Sequence, residues 1–357
     1  MSRRTIASIP AAAYPLLWPF TFPFAIATRL KNCAYDRHWV LPRTLSWPVI
    51  SVGNLSVGGT GKTPLVLLLA DRLSQRGWIV DVLSRGYGRS SKNVARVDRS
   101  GTPEEFGDEP LLMARHGLSV YVGTNRYDAG QFAEKEVEPG PIPSRRLHIL
   151  DDGFQHRKLA RAIDIVLLRR TDLEDRLLPA GRLREPLVEL RRADICILRA
   201  EDAGLSERVG QLMDPRRGLG LSSVWIVERR TTLPSPAESI PDALAFCAIG
   251  FAEEFFDGLR QAGLTLQSTI AFRDHHAYTP DDIETLKAAA CRCGAKCFVT
   301  TEKDSMRLSP ALRDSLEKQG PLHIAGLDVR LQREKDCLAR LETLLQERLQ
   351  FRPRNVR

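Results

Sequence analysis

The chain has 357 residues, 43% of them hydrophobic, and a net charge of +8. These values exclude a disordered chain and a small disulfide-stapled scaffold, and they leave room for two domains of ordinary size. The positive balance favours anionic partners: nucleic acid, phosphorylated substrates or an anionic membrane surface. Seven cysteines lie scattered at 33, 196, 247, 291, 293, 297 and 337, an odd set that reads as reduced thiols. Cys291, Cys293 and Cys297 have no nearby His and no second pair, which argues against a metal site there.

Residues 5–28 carry no charge and include Tyr14, Trp18, Phe20, Phe22, Phe24 and Ile26. By count this stretch could span a bilayer. Pro10, Pro15, Pro19 and Pro23 argue against a straight spanning helix. Ala25-Ile26-Ala27 resembles a signal-peptide cleavage site, which makes export a second reading. The preferred reading of residues 1–28 is a membrane-associating arm, with aromatic side chains in the interface and Arg3, Arg4, Arg29 and Lys31 on lipid phosphates. An arm buried against the domain is the alternative.

An apolar run, Pro48-Val49-Ile50, leads into S-V-G-N-L-S-V-G-G-T-G-K-T-P, residues 51–64, and a helix from Leu65 follows. Strand, glycine-rich loop and helix in that order make a phosphate-binding loop: inward-turned N–H groups and a helix N-terminus cradle an anion. Ser56, Val57, Gly58, Gly59, Thr60, Gly61, Lys62 and Thr63 are the expected nucleotide-binding residues. Lys62 can reach the outer phosphates, and the Thr63 hydroxyl can ligate Mg²⁺. The general pattern asks for Gly at position 56, where Ser stands.

A strand over 78–83 runs into Ser84-Arg85-Gly86-Tyr87-Gly88-Arg89, which sets two arginines at the carboxyl edge of the sheet. Gly107-Asp108-Glu109-Pro110 opens a helix, and acids there suit the helix dipole with or without a catalytic role. Gly123-Thr124-Asn125-Arg126 follows the next strand. Leu147 to Leu150 ends in Asp151-Asp152, then Gly153-Phe154-Gln155-His156. A strand ending in acids supplies the metal-holding carboxylate of such nucleotide sites, and two adjacent acids are costly unless a cation sits between them. Leu178 to Pro186 is a loop between further strands.

Strand and helix patterns alternate, so the fold expected is α/β: a parallel sheet of the P-loop NTPase type flanked by helices, plus a second, smaller α/β domain. The boundaries read as a P-loop domain over 29–228, a linker near 229–241 and a C-terminal domain over 229–357 that a basic helix at about 332–350 closes. The second domain carries Phe272 to Tyr278, with an Asp-His-His triplet, and Thr300-Thr301-Glu302-Lys303-Asp304. In the latter, Lys303 and Asp304 are adjacent, which breaks the spacing of a guanine-recognition motif.

Taken together, the loop at 51–64, S-R-G-Y-G, G-D-E-P, L-D-D-G-F-Q-H, L-P-A-G-R-L-R-E-P, D-H-H-x-Y and T-T-E-K-D, in this order from about residue 15 to 310, resemble the tetraacyldisaccharide 4′-kinases of Gram-negative bacteria. Ser56 belongs to that family's own pattern. The resemblance implies ATP and Mg²⁺ as cofactors and phosphoryl transfer to the 4′-hydroxyl of a tetraacylated disaccharide 1-phosphate, yielding lipid IVA. It places the protein peripherally or monotopically on the cytoplasmic face of the inner membrane, with no nucleic acid and no obligate protein partner. It assigns the general base to Asp108 and an orienting role to His275, beside Lys62. Thr63 and Asp152 are first choices for Mg²⁺, with Glu109 and Asp151 as further candidates. Asp36, Arg37, Tyr87, Arg126, Gln155 and His156 are candidates for gripping the disaccharide and its phosphate. Two rival readings are a P-loop switch ATPase or GTPase and a soluble small-molecule kinase.

Overall fold

Short apolar, β-branched runs form the strands, and most are buried on both faces, as a parallel sheet between helical layers requires. The computed structural model describes residues 14–59, 61–136, 145–216 and 223–350. These fall into two units. The larger takes in the described residues of Ala11–Gly101, Glu105–Glu228 and Val329–Arg357, and the smaller those of Thr102–Glu104 and Arg229–Asp328.

In chain order the elements begin with α1 (Tyr14–Asp36), β1 (Val49–Asn54), α2 (Lys62–Gln75), β2 (Ile79–Ser84) and β3 (Ala95–Arg96). Next come α3 (Pro103–Phe106), α4 (Asp108–Arg115), β4 (Ser119–Val122), α5 (Arg126–Lys135), β5 (Arg146–Asp151) and β6 (Ile163–Leu167). Then follow β7 (Ile195–Arg199), α6 (Ser206–Leu212) and β8 (Val224–Thr232). The larger unit's sheet runs β8-β7-β6-β1-β5-β2-β4-β3. Its strands are parallel, apart from the short antiparallel pair of β3 with β4. β1 lies at its centre, with Val52 between Asp151 of β5 and Ile165 of β6. That register brings the carboxyl end of β1, where the glycine loop starts, level with the acids that end β5. α5 packs on the sheet through Ala129 and Ala133 against Val49, Leu83, Tyr121 and Leu150.

The smaller unit holds β9 (Ala243–Cys247), α7 (Ala252–Gln261), β10 (Leu266–Ala271), α8 (Pro280–Cys293), β11 (Cys297–Thr301), α9 (Glu302–Arg307), α10 (Pro310–Glu317) and β12 (Leu322–Leu331). Its strands are parallel in the order β10-β9-β11-β12. Phe255, Phe256 and Leu259 of α7 fill one core, and Ile283 and Leu286 of α8 fill another with Phe246 and Phe298. The chain closes with α11 (Glu334–Gln350).

Three boundaries differ from the sequence reading. The break at 28/29 falls inside α1, a single helix with Pro19 and Pro23 within it. Each proline removes one backbone donor within the helix. Residues 1–13 lie outside the described residues. The segment expected as linker starts as strand, since β8 continues to Thr232. The C-terminal helix belongs to the larger unit instead of closing the smaller one. There Glu334 pairs with Arg72 at 2.7 Å, Glu342 with Arg76 at 2.8 Å and Arg348 with Asp194 at 3.0 Å. Leu338, Leu341 and Leu345 are buried beneath these pairs. β12, half-buried and without a clean alternation, carries the chain back and left no clear signal in the sequence.

Candidate active site

The phosphate loop is shaped by its neighbours as much as by its glycines. Gly58 and Gly61 adopt φ of +105° and +92°, where a side chain would be strained. Gly61 is the N-cap of α2, so the first N–H groups of that helix open onto the loop. Ser56 is buried and pairs antiparallel with Leu183. Around it the Val57 N–H donates to the Arg182 carbonyl at 2.8 Å, and the Arg184 N–H to the Leu55 carbonyl at 2.7 Å. An extended, paired residue needs no glycine, which accounts for Ser56. The expected contact at Thr60 lies outside the described residues.

Lys62, the first residue of α2, donates to Asn54 Oδ1 at 3.1 Å and sits 3.4 Å from Asp152. Arg184 grips Asp152 with both terminal nitrogens, each at 2.9 Å, and also reaches Asn54 Oδ1. Burial opposes ionisation of Asp152, but Lys62 and Arg184 outweigh it and hold the carboxyl well below the usual carboxylate range. Asp152 adopts φ of +49°, a left-handed turn that points the chain away from β5.

Asp151 behaves oppositely. It is 2% exposed, and only Oδ2 receives a hydrogen bond, from Ser84 Oγ at 3.1 Å. Oδ1 is buried with no hydrogen-bond partner. Burial, then the charges of Glu109 and Asp152, push its pKa up to about 7. A buried, under-satisfied carboxylate beside two further acids fits a divalent cation. Thr63, buried one residue past Lys62, adds a hydroxyl. Asp152, a first choice for the metal from sequence, pairs with Lys62 and Arg184 in this structure. Among the described residues no group of three or more His, Cys, Asp or Glu could hold a metal by itself. Phosphate oxygens would have to complete any such shell.

The S-R-G-Y-G and G-D-E-P segments meet backbone to backbone. A Cβ at Gly107 would lie 2.8 Å from the Tyr87 carbonyl oxygen, and one at Gly86 would lie 2.8 Å from the Phe106 carbonyl oxygen. This contact fixes Asp108, the first residue of α4, relative to exposed Tyr87. Arg126 opens α5 and is buried. Its Nη1 donates to the Thr124 carbonyl at 3.1 Å, while Nε has no partner. Burial and then Arg85 lower its pKa, while Asp152 and Asp151 draw it back. His156 is held neutral at neutral pH: burial, then Arg126 and Arg161, lower its pKa to about 4, and its Nε2 is buried without a partner. Gln155 Nε2 donates to the Asn54 carbonyl at 2.9 Å.

The structure therefore gathers Lys62, Asp151, Asp152, Glu109, Arg126, Gln155 and His156 around the carboxyl ends of β1 and β5. Asp36 is elsewhere engaged, paired with Arg157 at 2.7 Å and Arg191 at 2.9 Å, and Arg37 lies over Trp39. The Asp36 pairs brace the end of α1. His275 belongs to the smaller unit, where Arg307 Nη2 lies 3.1 Å from its Nδ1 and its φ is +59°. In the same unit, Thr301 and Asp304 of T-T-E-K-D cap α9, with Thr301 Oγ1 donating to Asp304 Oδ2 at 2.6 Å.

A family model described as tetraacyldisaccharide-1-P 4′-kinase matches residues 13–346. This chain belongs to that family. It is therefore an ATP-using kinase of lipid A biosynthesis. Among relatives, the tetraacyldisaccharide 4′-kinase of Koribacter versatilis is 42% identical over 335 residues, spanning 92% of this chain and 97% of that protein. The Geobacter sulfurreducens protein of the same name is 38% identical over 335 residues, spanning 91% and 89%. A crystal structure of LpxK from Aquifex aeolicus in complex with ATP aligns with a TM-score of 0.71 at 32% identity, covering 93% of this chain and 99% of that one.

Four residues of this kinase site went unassigned in the sequence reading: Asn54, Ser84, Arg184 and Glu185. All four lie within motifs of the series, yet spacing alone gave them no role. A side chain that shapes the site through other side chains has no periodic signature.

Proposed function

We propose that this chain transfers the γ-phosphoryl group of ATP to the 4′-hydroxyl of a tetraacylated glucosamine disaccharide 1-phosphate, forming lipid IVA at the cytoplasmic face of the inner membrane. The observation that carries this reading is Lys62 lying 3.4 Å from Asp152, at the adjoining carboxyl ends of β1 and β5, in a chain matched to this family over most of its length.

Loop N–H groups and Lys62 would bind the β- and γ-phosphates and stabilise charge that builds during transfer. Thr63 and Asp151, with Glu109, would hold Mg²⁺, which would supply further neutralisation of phosphate charge. Asp108 would accept the proton of the sugar hydroxyl, a weak nucleophile that gains from a base. Arg126 suits a bidentate grip on a phosphate. Neutral His156 and Gln155 can exchange hydrogen bonds with sugar hydroxyls.

The acceptor's location is supported by α1. Its Trp18, Phe20, Phe22 and Leu30 are all exposed, and Arg29 and Lys31 stand among them. Large exposed apolar side chains beside basic ones suit a lipid interface. No helix among the described residues is long and apolar enough to cross a membrane. The test is transfer of labelled phosphate to the disaccharide 1-phosphate in mixed micelles, wild type against Asp108→Ala. The base contributes about 10²- to 10⁴-fold, so turnover should fall by that range with ATP affinity little changed. Unchanged turnover would remove Asp108 from the reaction.

A further inference from the structure

We infer that Asn32 is a positioning residue that couples the seating of α1 to the geometry of the phosphate-binding loop. This rests on the reading that the acceptor is a lipid engaged along α1. Asn32 is 2% exposed, in the rear half of a helix whose front half displays its aromatic side chains. Its Nδ2 donates to Glu185 Oε1 at 3.2 Å. Glu185 is 1% exposed, and it also receives Arg192 Nη2 and, at 3.5 Å, Gln155 Nε2. The same Gln155 amide donates to the Asn54 carbonyl at 2.9 Å. Asn54 ends β1, and its side chain donates to the Ser56 carbonyl at 2.7 Å while accepting from Lys62 at 3.1 Å. A continuous set of hydrogen bonds thus runs from the arm to the lysine that meets the phosphates.

Two features show that Asn32 is set for this contact. Its amide is oriented wholly by Glu185: the opposite flip would turn Oδ1 against a carboxylate, and in the observed orientation Oδ1 is buried with no partner. The helix is also clamped at the same level. Lys31 Nζ donates to the Gln155 carbonyl at 3.0 Å, and Arg157 Nη1 to the Asn32 carbonyl at 3.1 Å. A shift of α1 therefore cannot bypass the turn at 155–157. If Asn32 withdraws, a buried carboxylate must turn toward its remaining donors. Gln155 is one of them, and it sets the entrance of the loop.

Coupling of this kind is reciprocal, so acceptor and nucleotide should each tighten the other's binding. The experiment titrates a non-hydrolysable ATP analogue into the full chain in mixed micelles, with and without tetraacyldisaccharide 1-phosphate. In the wild type the acceptor should tighten nucleotide binding by about 5-fold or more, within the usual range for coupled sites. In Asn32→Ala the factor should fall to about one, while nucleotide affinity without acceptor stays within about twofold of wild type. Asn32→Leu, close in volume, must lose the coupling too and keeps the test readable if the Ala variant melts early. A variant that retains the wild-type factor overturns the inference. A wild type that phosphorylates the acceptor yet shows no coupling also overturns it. A wild type that does not phosphorylate the acceptor in the same micelles defeats the functional reading first, and this inference with it.

Discussion

Replacing Asp151 with Asn should make the metal-free protein more stable at pH 8 while destroying its kinase activity. The carboxyl is buried, with one oxygen lacking a hydrogen-bond partner, and burial, Glu109 and Asp152 raise its pKa from 3.8 to about 7. A rise of about three on the pKa scale corresponds to about 4 kcal/mol. Near pH 4 the native carboxyl already holds its proton, so ionisation costs nothing there. As pH climbs toward 7 the unfolded chain gives up this proton and the native state does not, so native stability falls through that window and levels off above it. A neutral Asn escapes the loss. Its amide must still find an acceptor, which offsets part of the gain, so the variant should lead the wild type by roughly 2–4 kcal/mol at pH 8. At pH 5 the two should differ far less. Urea unfolding at both pH values, with EDTA and without nucleotide, measures the gap. Equal midpoints at pH 8, or a variant weaker at both pH values, would refute the reasoning.

Three other outcomes follow from the same geometry. Gly107→Ala must place a Cβ 2.8 Å from the Tyr87 carbonyl at φ +90°. The backbone conformation alone costs about 1–3 kcal/mol, and displacing Asp108 by even an ångström should cost about 10²-fold in kcat; a melt and a turnover assay check both. His156 should show flat imidazole NMR shifts from about pH 5.5 to 8, because burial and two arginines hold its pKa to about 4; a titration near 6.5 would contradict that. Trp18→Ser with Phe22→Ser should weaken binding to anionic vesicles by at least about tenfold, since each large apolar side chain contributes about 1.5–3 kcal/mol when fully buried. ATP-analogue affinity measured without lipid should not move.

Much of the site was legible because its chemistry is local in sequence. The glycine loop, Lys62 and the acids after β5 each follow a strand, and strand ends of a parallel sheet converge on one edge. What stayed hidden depends on contacts far apart in the chain. Asp152 read as a first choice for Mg²⁺ with Thr63, and its two-pronged pairing with Arg184, 32 residues on, left no trace in the spacing. Ser56 was explained in the sequence only by the family's own pattern; its pairing with Leu183 supplies the physical reason. Asp36 was a substrate candidate in the sequence, and its pairs with Arg157 and Arg191, more than 120 residues away, could not be read there. In the fold, α11 looked like part of the domain it follows. Only the return of the chain through β12 puts Glu334 and Glu342 against Arg72 and Arg76.

The most direct measurement follows labelled γ-phosphate from ATP in the presence of tetraacyldisaccharide 1-phosphate, comparing wild type with Lys62→Ala. Label should enter the lipid at the 4′ position with the wild type, and incorporation should collapse in the variant. Rapid release of inorganic phosphate with no labelled lipid, at a rate indifferent to the acceptor, would contradict the account.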